Sequence, residues 1–362
     1  MRRTAMASVA VGLGLLGAAA GVIIARPGGP GGGGAFQLAG ASGPSGARTH
    51  LLGTGVSARR LPVSAPASGH GPMPSGGISI AAHAAGFGYP AATNTGATGA
   101  LTAVPGSVTR GPGWSYANGV ISVTGAGARL ARISTSAEIQ VDAPHVTIDN
   151  VRVVAALTND PGIALEQRAN GTTIENSTIA GTNSTGGTML VGIKDVHGTP
   201  VTGTVIDRCN IYNTSSGVQI YAGTIENSYI HALGNNGREH LEDINDTGNS
   251  GHPLFILHNT LFNPGRQTAA IYLSEDYSAE ANVTVNNNIL GGGDYSFYGG
   301  NTGAAAPIPG RPAHISFTNN IFSRLRFRNG GYFGPVAHWL NGNGNVWAGN
   351  VWDVSGQIVR PS

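Results

Sequence analysis

The chain has 362 residues, of which 58 are glycine, while 10% are charged and 6% are aromatic. So few charged and aromatic residues argue against a compact enzyme with helical layers, and favour one elongated domain with appendages. The formal net charge of +2 identifies no partner, and Cys209, as the single cysteine, excludes an intrachain disulfide.

Residues 1–26 combine a basic start, MRRTAM, with an uncharged apolar stretch and small residues near its end. This pattern predicts a secretory signal peptide, with a retained signal anchor as the alternative. Residues 27–85 are rich in Gly, Pro, Ala and Ser, and too poor in bulky side chains to offset the entropy of ordering. We expect a disordered linker there, and a protein that is secreted or anchored facing outside.

Residues 86–362 repeat an apolar residue followed two places later by a turn residue, about every 19 to 32 residues. Six of the eight turn residues are asparagine. The apolar positions are Ile148, Ile174, Ile206, Ile225, Leu257 (one place along), Val285, Phe317 and Trp347; the turn positions are Asn150, Asn176, Arg208, Asn227, Asn259, Asn287, Asn319 and Gly349.

Each copy has the β-branched and aromatic residues of a short buried strand. Asparagine suits the bend that follows, because it tolerates left-handed backbone angles and its amide bonds neighbouring backbone. When coils stack about 4.8 Å apart, such amides can also bond one another in a ladder. The pattern therefore predicts an all-β, single-stranded, right-handed parallel β-helix of about eight to ten coils.

With its FGYPAATNTG opening and late GNVWAGNVW coil, the segment from Gly86 to Ser362 resembles the pectin-lyase-like superfamily of secreted bacterial β-helix proteins. The resemblance implies the β-helix and, as a class of ligand, polysaccharides. The superfamily includes lyases, hydrolases, epimerases, esterases and phage tailspikes, so fold alone does not give the activity. The paired-Asp, GHG and RIK signature of polygalacturonases is absent from the helix, as is the Arg-x-Pro-x-x-Arg pattern of pectate lyases.

A second series of strands between the turn motifs should carry the chemistry. With Ile163, Ile193, Val218, Leu241 and Ile271 facing inward, the alternation of a strand puts the residues that follow them on the outer face. We therefore expect one outward column of Ala164, Lys194, Gln219, Glu242 and Tyr272, with Glu166, Tyr221 and Ser274 in the next.

The richest polar segment is REHLEDINDTGNSGH, residues 238–252. An acidic-polysaccharide lyase must neutralise a uronate carboxylate, remove a proton and protonate the leaving oxygen. Lys194 or His240 would be the base, Asp243 and Asp246 (with Glu242) would hold Ca²⁺, and Gln219, Tyr221, Arg238 and Tyr272 would bind substrate. A hydrolase would instead use Glu242 with Asp276 as its two carboxylates. The alternative is a polar turn whose side chains satisfy local backbone.

Near the C-terminus, Arg324, Arg326 and Arg328 would share one face of a strand and recognise carboxylate, sulfate or phosphate, or only aid solubility. We expect Trp339, Trp347 and Trp352 to cap the core. No broad basic surface indicates nucleic-acid binding.

These features favour an exported polysaccharide lyase that is monomeric, acts on an acidic glycan and uses Ca²⁺ if any cofactor. The alternatives are a non-catalytic glycan-binding or structural β-helix and a glycoside hydrolase. A membrane partner follows only if the N-terminal segment is uncleaved.

Overall fold

The computed structural model describes residues 80–185, 187–198, 200–234, 240–301 and 311–361. The expected signal segment and nearly all of the expected linker lie outside these residues. The first described element is helix α1, Ile80–Gly86, which starts just before the predicted domain start at Gly86. Within the described residues no helix is long and apolar enough to cross a membrane.

The described strands form three sheets that run the length of the molecule. Sheet I contains β2 Arg110–Gly111, β3 Trp114–Ala117, β4 Val120–Val123, β7 Glu138–Val141, β10 Pro161–Leu165, β13 Met189–Asp195, β16 Thr214–Gln219, β19 Glu242–Asp246, β22 Ala269–Leu273, β25 Tyr295–Gly299 and β28 Gly334–Ala337. Sheet II contains β5 Arg129–Ala131, β8 Thr147–Asp149, β11 Thr173–Glu175, β14 Val205–Asp207, β17 Gly223–Glu226, β20 Leu254–Leu257, β23 Val283–Asn286, β26 Ser316–Thr318 and β29 Val346–Ala348. Sheet III contains β1 Thr102–Val104, β6 Ile133–Thr135, β9 Arg152–Val154, β12 Thr178–Ala180, β15 Asn210–Tyr212, β18 Tyr229–His231, β21 Thr260–Asn263, β24 Ile289–Gly292, β27 Ile321–Phe322 and β30 Val351–Trp352.

Each coil adds one strand to sheet II, then to sheet III, then to sheet I, and pairs in parallel with the coil before it. This is the right-handed parallel β-helix that the sequence predicts. Sheet I begins differently, because β2, β3 and β4 pair antiparallel. These three strands close the first edge of sheet I, which protects it from pairing with another chain.

The core is a stack of apolar columns, one residue per coil. In sheet II, Ile148, Ile174, Ile206, Ile225, Ile256, Val285 and Phe317 are in register and fully buried. The fifth copy differs from the predicted alignment: Ile256, and not Leu257, occupies the column. Its turn residue is consequently His258, which has a positive φ of 52°, in place of Asn259.

Asn259 belongs instead to a buried column that lies one residue after the turn column. In this column Ser177, Cys209 and Ser228 are followed by Asn259, Asn288, Asn320 and Asn350, all with no exposed surface. The amides form a ladder: Nδ2 of Asn259, Asn288 and Asn320 each donates to Oδ1 of the next asparagine, at 3.0, 2.9 and 3.1 Å. The predicted asparagine ladder thus exists, but its residues follow those of the turn column by one position in the sequence and are buried. Burial raises the pKa of the Cys209 thiol to about 12, so the thiol keeps its proton at neutral pH.

The segment from Ile80 to Thr98, here called the clasp, crosses the outer face of sheet III against the order of the coils. His83 Nε2 lies 2.9 Å from Asp353 Oδ2 in the last coil. Tyr89 donates to Asn287 Oδ1 at 2.9 Å, and the backbone N–H of Thr98 donates to Asn150 Oδ1 at 2.7 Å, near the first coils. The clasp therefore covers sheet III and leaves the outer face of sheet I available.

Candidate functional site

A polar and aromatic column runs along the outer face of sheet I. Strand pairing puts Lys194, Gln219, Asn245, Tyr272 and Tyr298 in register on five successive coils. The first four are half-buried and Tyr298 is buried beside its neighbours. Since neighbouring parallel strands lie about 4.8 Å apart, the column offers one side chain at each such interval.

The predicted column is confirmed at Ala164, Lys194, Gln219 and Tyr272, and differs at Glu242. Ile244, and not Leu241, fills the inward position in β19, so Asn245 takes the outward place. The core decides this register, because Ile244 packs between Val218 and Ile271 of adjacent coils. Glu166, Tyr221 and Ser274, predicted in the next column, lie just past the ends of β10, β16 and β22, and Ser274 is fully buried.

Lys194 lies on β13 between Ala164 and Gln219 of the neighbouring coils. Its burial lowers the pKa of the ammonium group, and the nearby Asp195 opposes this only in part. A lysine in such a setting gives up its proton more readily than a solvated one, which is what a general base requires.

Tyr221 is buried next to this column, and its hydroxyl accepts two hydrogen bonds. Gln219 Nε2 donates to it at 3.3 Å and Thr247 Oγ1 at 3.5 Å. Burial raises the pKa of the phenol, so it keeps its proton at neutral pH. The phenol can give that proton to the Thr247 hydroxyl, 3.5 Å away, or to a ligand.

Glu242 lies on the coil of Asn245 but three residues earlier along β19. It is only 3% exposed, and its Oε2 accepts a hydrogen bond from Ser216 Oγ at 2.8 Å. Burial raises its pKa, while the hydrogen bond from Ser216 and the charge of His240 act in the opposite direction. His240 is exposed, and its Nδ1 is 3.1 Å from Thr268 Oγ1.

Asp276 interacts with the far side of the column. The Tyr272 hydroxyl donates to its Oδ2 at 3.3 Å. Burial, and then the negative charges of Asp276 and Glu242, raise the pKa of Tyr272. The structure therefore brings His240 to Glu242 and Asp276 to Tyr272. It keeps Lys194 two coils, or about 10 Å, from the coil of Glu242.

The predicted calcium ligands Asp243 and Asp246 both lie buried in strand β19. Asp243 is fully buried in register with Gly217 and Ala270, and neither of its carboxylate oxygens has a hydrogen-bond partner. Asp246 is fully buried where an adjacent coil has Leu273. Burial raises the pKa of both, that of Asp246 to about 8. No group of three or more His, Cys, Asp or Glu side chains in the described part of the chain is arranged to hold a metal.

The three C-terminal arginines do not form the predicted row, because residues 324–328 lie between strands β27 and β28 and are not extended. The Arg324 guanidinium carbon is 4.0 Å from the centroid of the Trp352 ring, and that of Arg326 is 5.2 Å from the Phe327 ring. Arg328 is exposed.

The tryptophans do cap the core: Trp347 stacks on Phe317 at 4.7 Å. Arg238 lies outside the described residues.

Glu138 is a candidate that the sequence analysis missed. It lies on the outer face of sheet I, and its Oε2 accepts a hydrogen bond from Gln140 at 3.2 Å. Burial, with the negative charges of Asp160 and Glu166, raises its pKa to about 7. The alternation of EIQV was the available signal, since it places Glu138 and Gln140 on one face.

A polar cavity of about 350 Å³ lies away from this face, between the clasp and the turn column. Thr95, Gly96, Arg132, Asp149 and Asn150 are among its lining residues. Both polar atoms of the Asn150 amide already bond the backbone of Thr98. None of the predicted site residues lines this cavity.

No family model matches the sequence, and no curated protein matches it. Among solved structures, the chain is similar to pectate lyase Pel9A, with a TM-score of 0.39 and 14% identity over 67% of this chain and 62% of that one. It is also similar to the Dettilon tailspike protein, with a TM-score of 0.39 and 13% identity over 64% of this chain and 52% of that one. The chain thus spans less than two thirds of either neighbour. The parallel β-helix that the superfamily resemblance implied is confirmed by the strand pairing of this chain itself.

Proposed function

We propose that the protein is an exported polysaccharide lyase that binds an extended acidic glycan along the outer face of sheet I. The observation that carries the proposal is the column from Lys194 to Tyr272, in which a half-buried lysine is followed by amide and phenol side chains on successive coils. The coil spacing of about 4.8 Å is close to the length of one sugar residue in an extended chain. Each coil can therefore meet one sugar.

Lys194, as the neutral amine, takes the proton from C5 of a uronate. The electron pair of that C–H bond forms the C4=C5 double bond, and the bond from C4 to the glycosidic oxygen breaks. Tyr221, one coil away, donates its proton to the leaving oxygen. The amide groups of Gln219 and Asn245 can donate hydrogen bonds to the uronate carboxylate. None of these steps requires a metal, and the assay described next is carried out both with and without Ca²⁺.

The proposal is tested by incubating the protein with a panel of polyuronates, with Ca²⁺ and with a chelator. Elimination produces unsaturated uronates, which absorb in the ultraviolet. We expect this signal from the wild type, and a loss of about 100-fold or more in Lys194→Ala and Tyr221→Phe. If no polyuronate yields an unsaturated product or new reducing ends, the protein is a non-catalytic glycan-binding or structural β-helix.

One observation favours a hydrolase as the second candidate. Glu138, with its pKa near 7, lies close to the carboxylates of Asp160 and Glu166, and a hydrolase needs one protonated and one ionised carboxyl group. New reducing ends without unsaturation, lost in Glu138→Gln and kept in Lys194→Ala, would establish that activity.

A further inference from the structure

Beyond Tyr272 the outer face of sheet I becomes aromatic. The ring centroids of Tyr272 and Tyr298 are 5.4 Å apart, those of Tyr298 and Tyr295 are 5.5 Å apart, and those of Tyr295 and Phe333 are 5.9 Å apart. Tyr295 and Phe333 form a surface, here called the aromatic platform, and the buried Tyr298 packs against Tyr295 beneath it. None of the three is among the site residues predicted from the sequence.

The platform is open to a ligand at its outer end. Phe333 is 45% exposed, and Tyr295 is half-buried. Gly334, which pairs with Tyr295 from the next coil, has no side chain to cover that ring; a Cβ there would lie 3.4 Å from Tyr295 Cε1. Exposing a phenylalanine ring beside an uncovered tyrosine ring to water is unfavourable in free energy. Covering both rings with a flat apolar surface of a ligand therefore stabilises binding.

Strand pairing makes the platform a continuation of the polar column. Tyr298 is in register with Tyr272, and Tyr295 is in register with Ala269 of the same preceding coil. Lys194 and Tyr298 are four coils apart, so about 19 Å of the same face separates them. A ligand that follows the column in the direction of the later coils must therefore reach these rings.

We infer that one polysaccharide chain spans both regions, with its reacting sugar at Lys194 and the C–H faces of sugars about four residues away on Tyr295 and Phe333, which the buried Tyr298 supports from beneath. The inference rests on the proposed function and adds the substrate's length and the chemistry of its far end. The chain must have at least five or six sugars to touch both regions. The protein accordingly prefers long chains to di- and trisaccharides.

The test measures the affinity of oligogalacturonates, from the disaccharide to the octasaccharide, by calorimetry in a Lys194→Ala background that prevents cleavage. We expect the affinity to rise about tenfold once the chain passes five sugars, the size of effect that one or two aromatic contacts give. Phe333→Ala and Tyr295→Ala should remove this rise and leave the affinity of the trisaccharide unchanged. Phe255→Ala is the matched control, because Phe255 is 39% exposed on sheet II and should have no effect.

Two results would overturn the inference, and they are distinguishable. If long and short chains bind equally, or the platform variants leave the rise intact, the platform does not bind the chain and the proposed function stands. If no oligogalacturonate binds at any length, and alginate and hyaluronan oligomers of the same lengths also fail, the inference falls together with the proposed function. Circular dichroism of each variant shows that loss of binding is not loss of fold.

Discussion

At the scale of single residues, several carboxyl groups occupy places that adjacent coils fill with apolar or small side chains. Asp246 is the clearest, since Leu273 holds the equivalent position on the next coil and both side chains are fully buried. One oxygen of Asp246 accepts the N–H of Gly248 at 3.0 Å, and the other has no partner. Burial without compensating donors favours the protonated acid.

The stability of the fold should therefore fall as the pH rises. The pKa of Asp246 is about 8 in the folded chain and about 3.9 in an unfolded one. The folded state binds the proton more tightly, so between these values the free energy of unfolding decreases by up to about 1.4 kcal/mol per pH unit for this group.

Asp246→Asn keeps an acceptor for Gly248 and should reduce this pH dependence. The measurement is the urea midpoint from pH 4 to pH 8. Glu226→Gln, at a half-buried glutamate on sheet II, is the control and should leave the slope unchanged. An equal slope in wild type and Asp246→Asn would contradict the assignment.

At the scale of elements, the repeated pattern predicted the strands and turns of sheets II and III but missed some registers. In LFILHNTLF both Ile256 and Leu257 are plausible core residues, and asparagine is common in the turn column and in the buried column beside it. Whether Ile256 or Leu257 faces the core depends on packing against Ile225 and Val285 of the adjacent coils. These residues are close to Ile256 in the folded chain but distant in sequence. For the same reason the sequence pattern predicted Glu242 in the outward column, where the structure has Asn245. The amide ladder then follows from stacking, because each asparagine needs a partner on the next coil.

Replacing Asn288 should show what the ladder contributes. Asn288→Ala removes the acceptor of one N–H of the Asn259 amide and of the Asn259 backbone N–H, which donate to Asn288 Oδ1 at 3.0 and 2.8 Å, while the other amide N–H keeps its bond to the Ile225 carbonyl. We expect a loss of about 2–3 kcal/mol in the free energy of unfolding, measured in urea.

Asn319→Gly is the matched control for that experiment. Asn319 is exposed and has a positive φ of 56°, which glycine adopts freely, so the change should be below about 1 kcal/mol. Equal effects of the two substitutions would show that buried stacking does not distinguish the two columns.

At the scale of the whole molecule, the clasp ties the last coil to the first ones across sheet III. Its contacts join residues about 50 to 270 positions apart, such as Thr98 with Asn150 and His83 with Asp353. No local pattern encodes such contacts, and this explains why the sequence did not reveal the clasp. The clasp covers sheet III, so sheet III can lose this cover while the outer face of sheet I keeps its shape.

Ala84→Asp should release the clasp. Ala84 is fully buried against Phe262 and Ile289, so a carboxylate there has no partner and disfavours docking. Hydrogen exchange should accelerate in β21 and β24 and stay unchanged in β13 and β16. Ala85→Asp, at the exposed neighbouring position, should leave all four strands protected. Faster exchange in β13 and β16 as well would show that the clasp supports the entire helix.

The most direct test of the proposed function is the pH dependence of unsaturated-uronate formation by wild type and Lys194→Arg. Arginine keeps the positive charge but does not lose its proton at accessible pH. If Lys194 is the base, the wild-type rate rises with pH as the amine becomes neutral, and Lys194→Arg is slower by about 100-fold or more at every pH. Comparable rates in the two proteins would show that Lys194 only binds the carboxylate, and would contradict its role as the base.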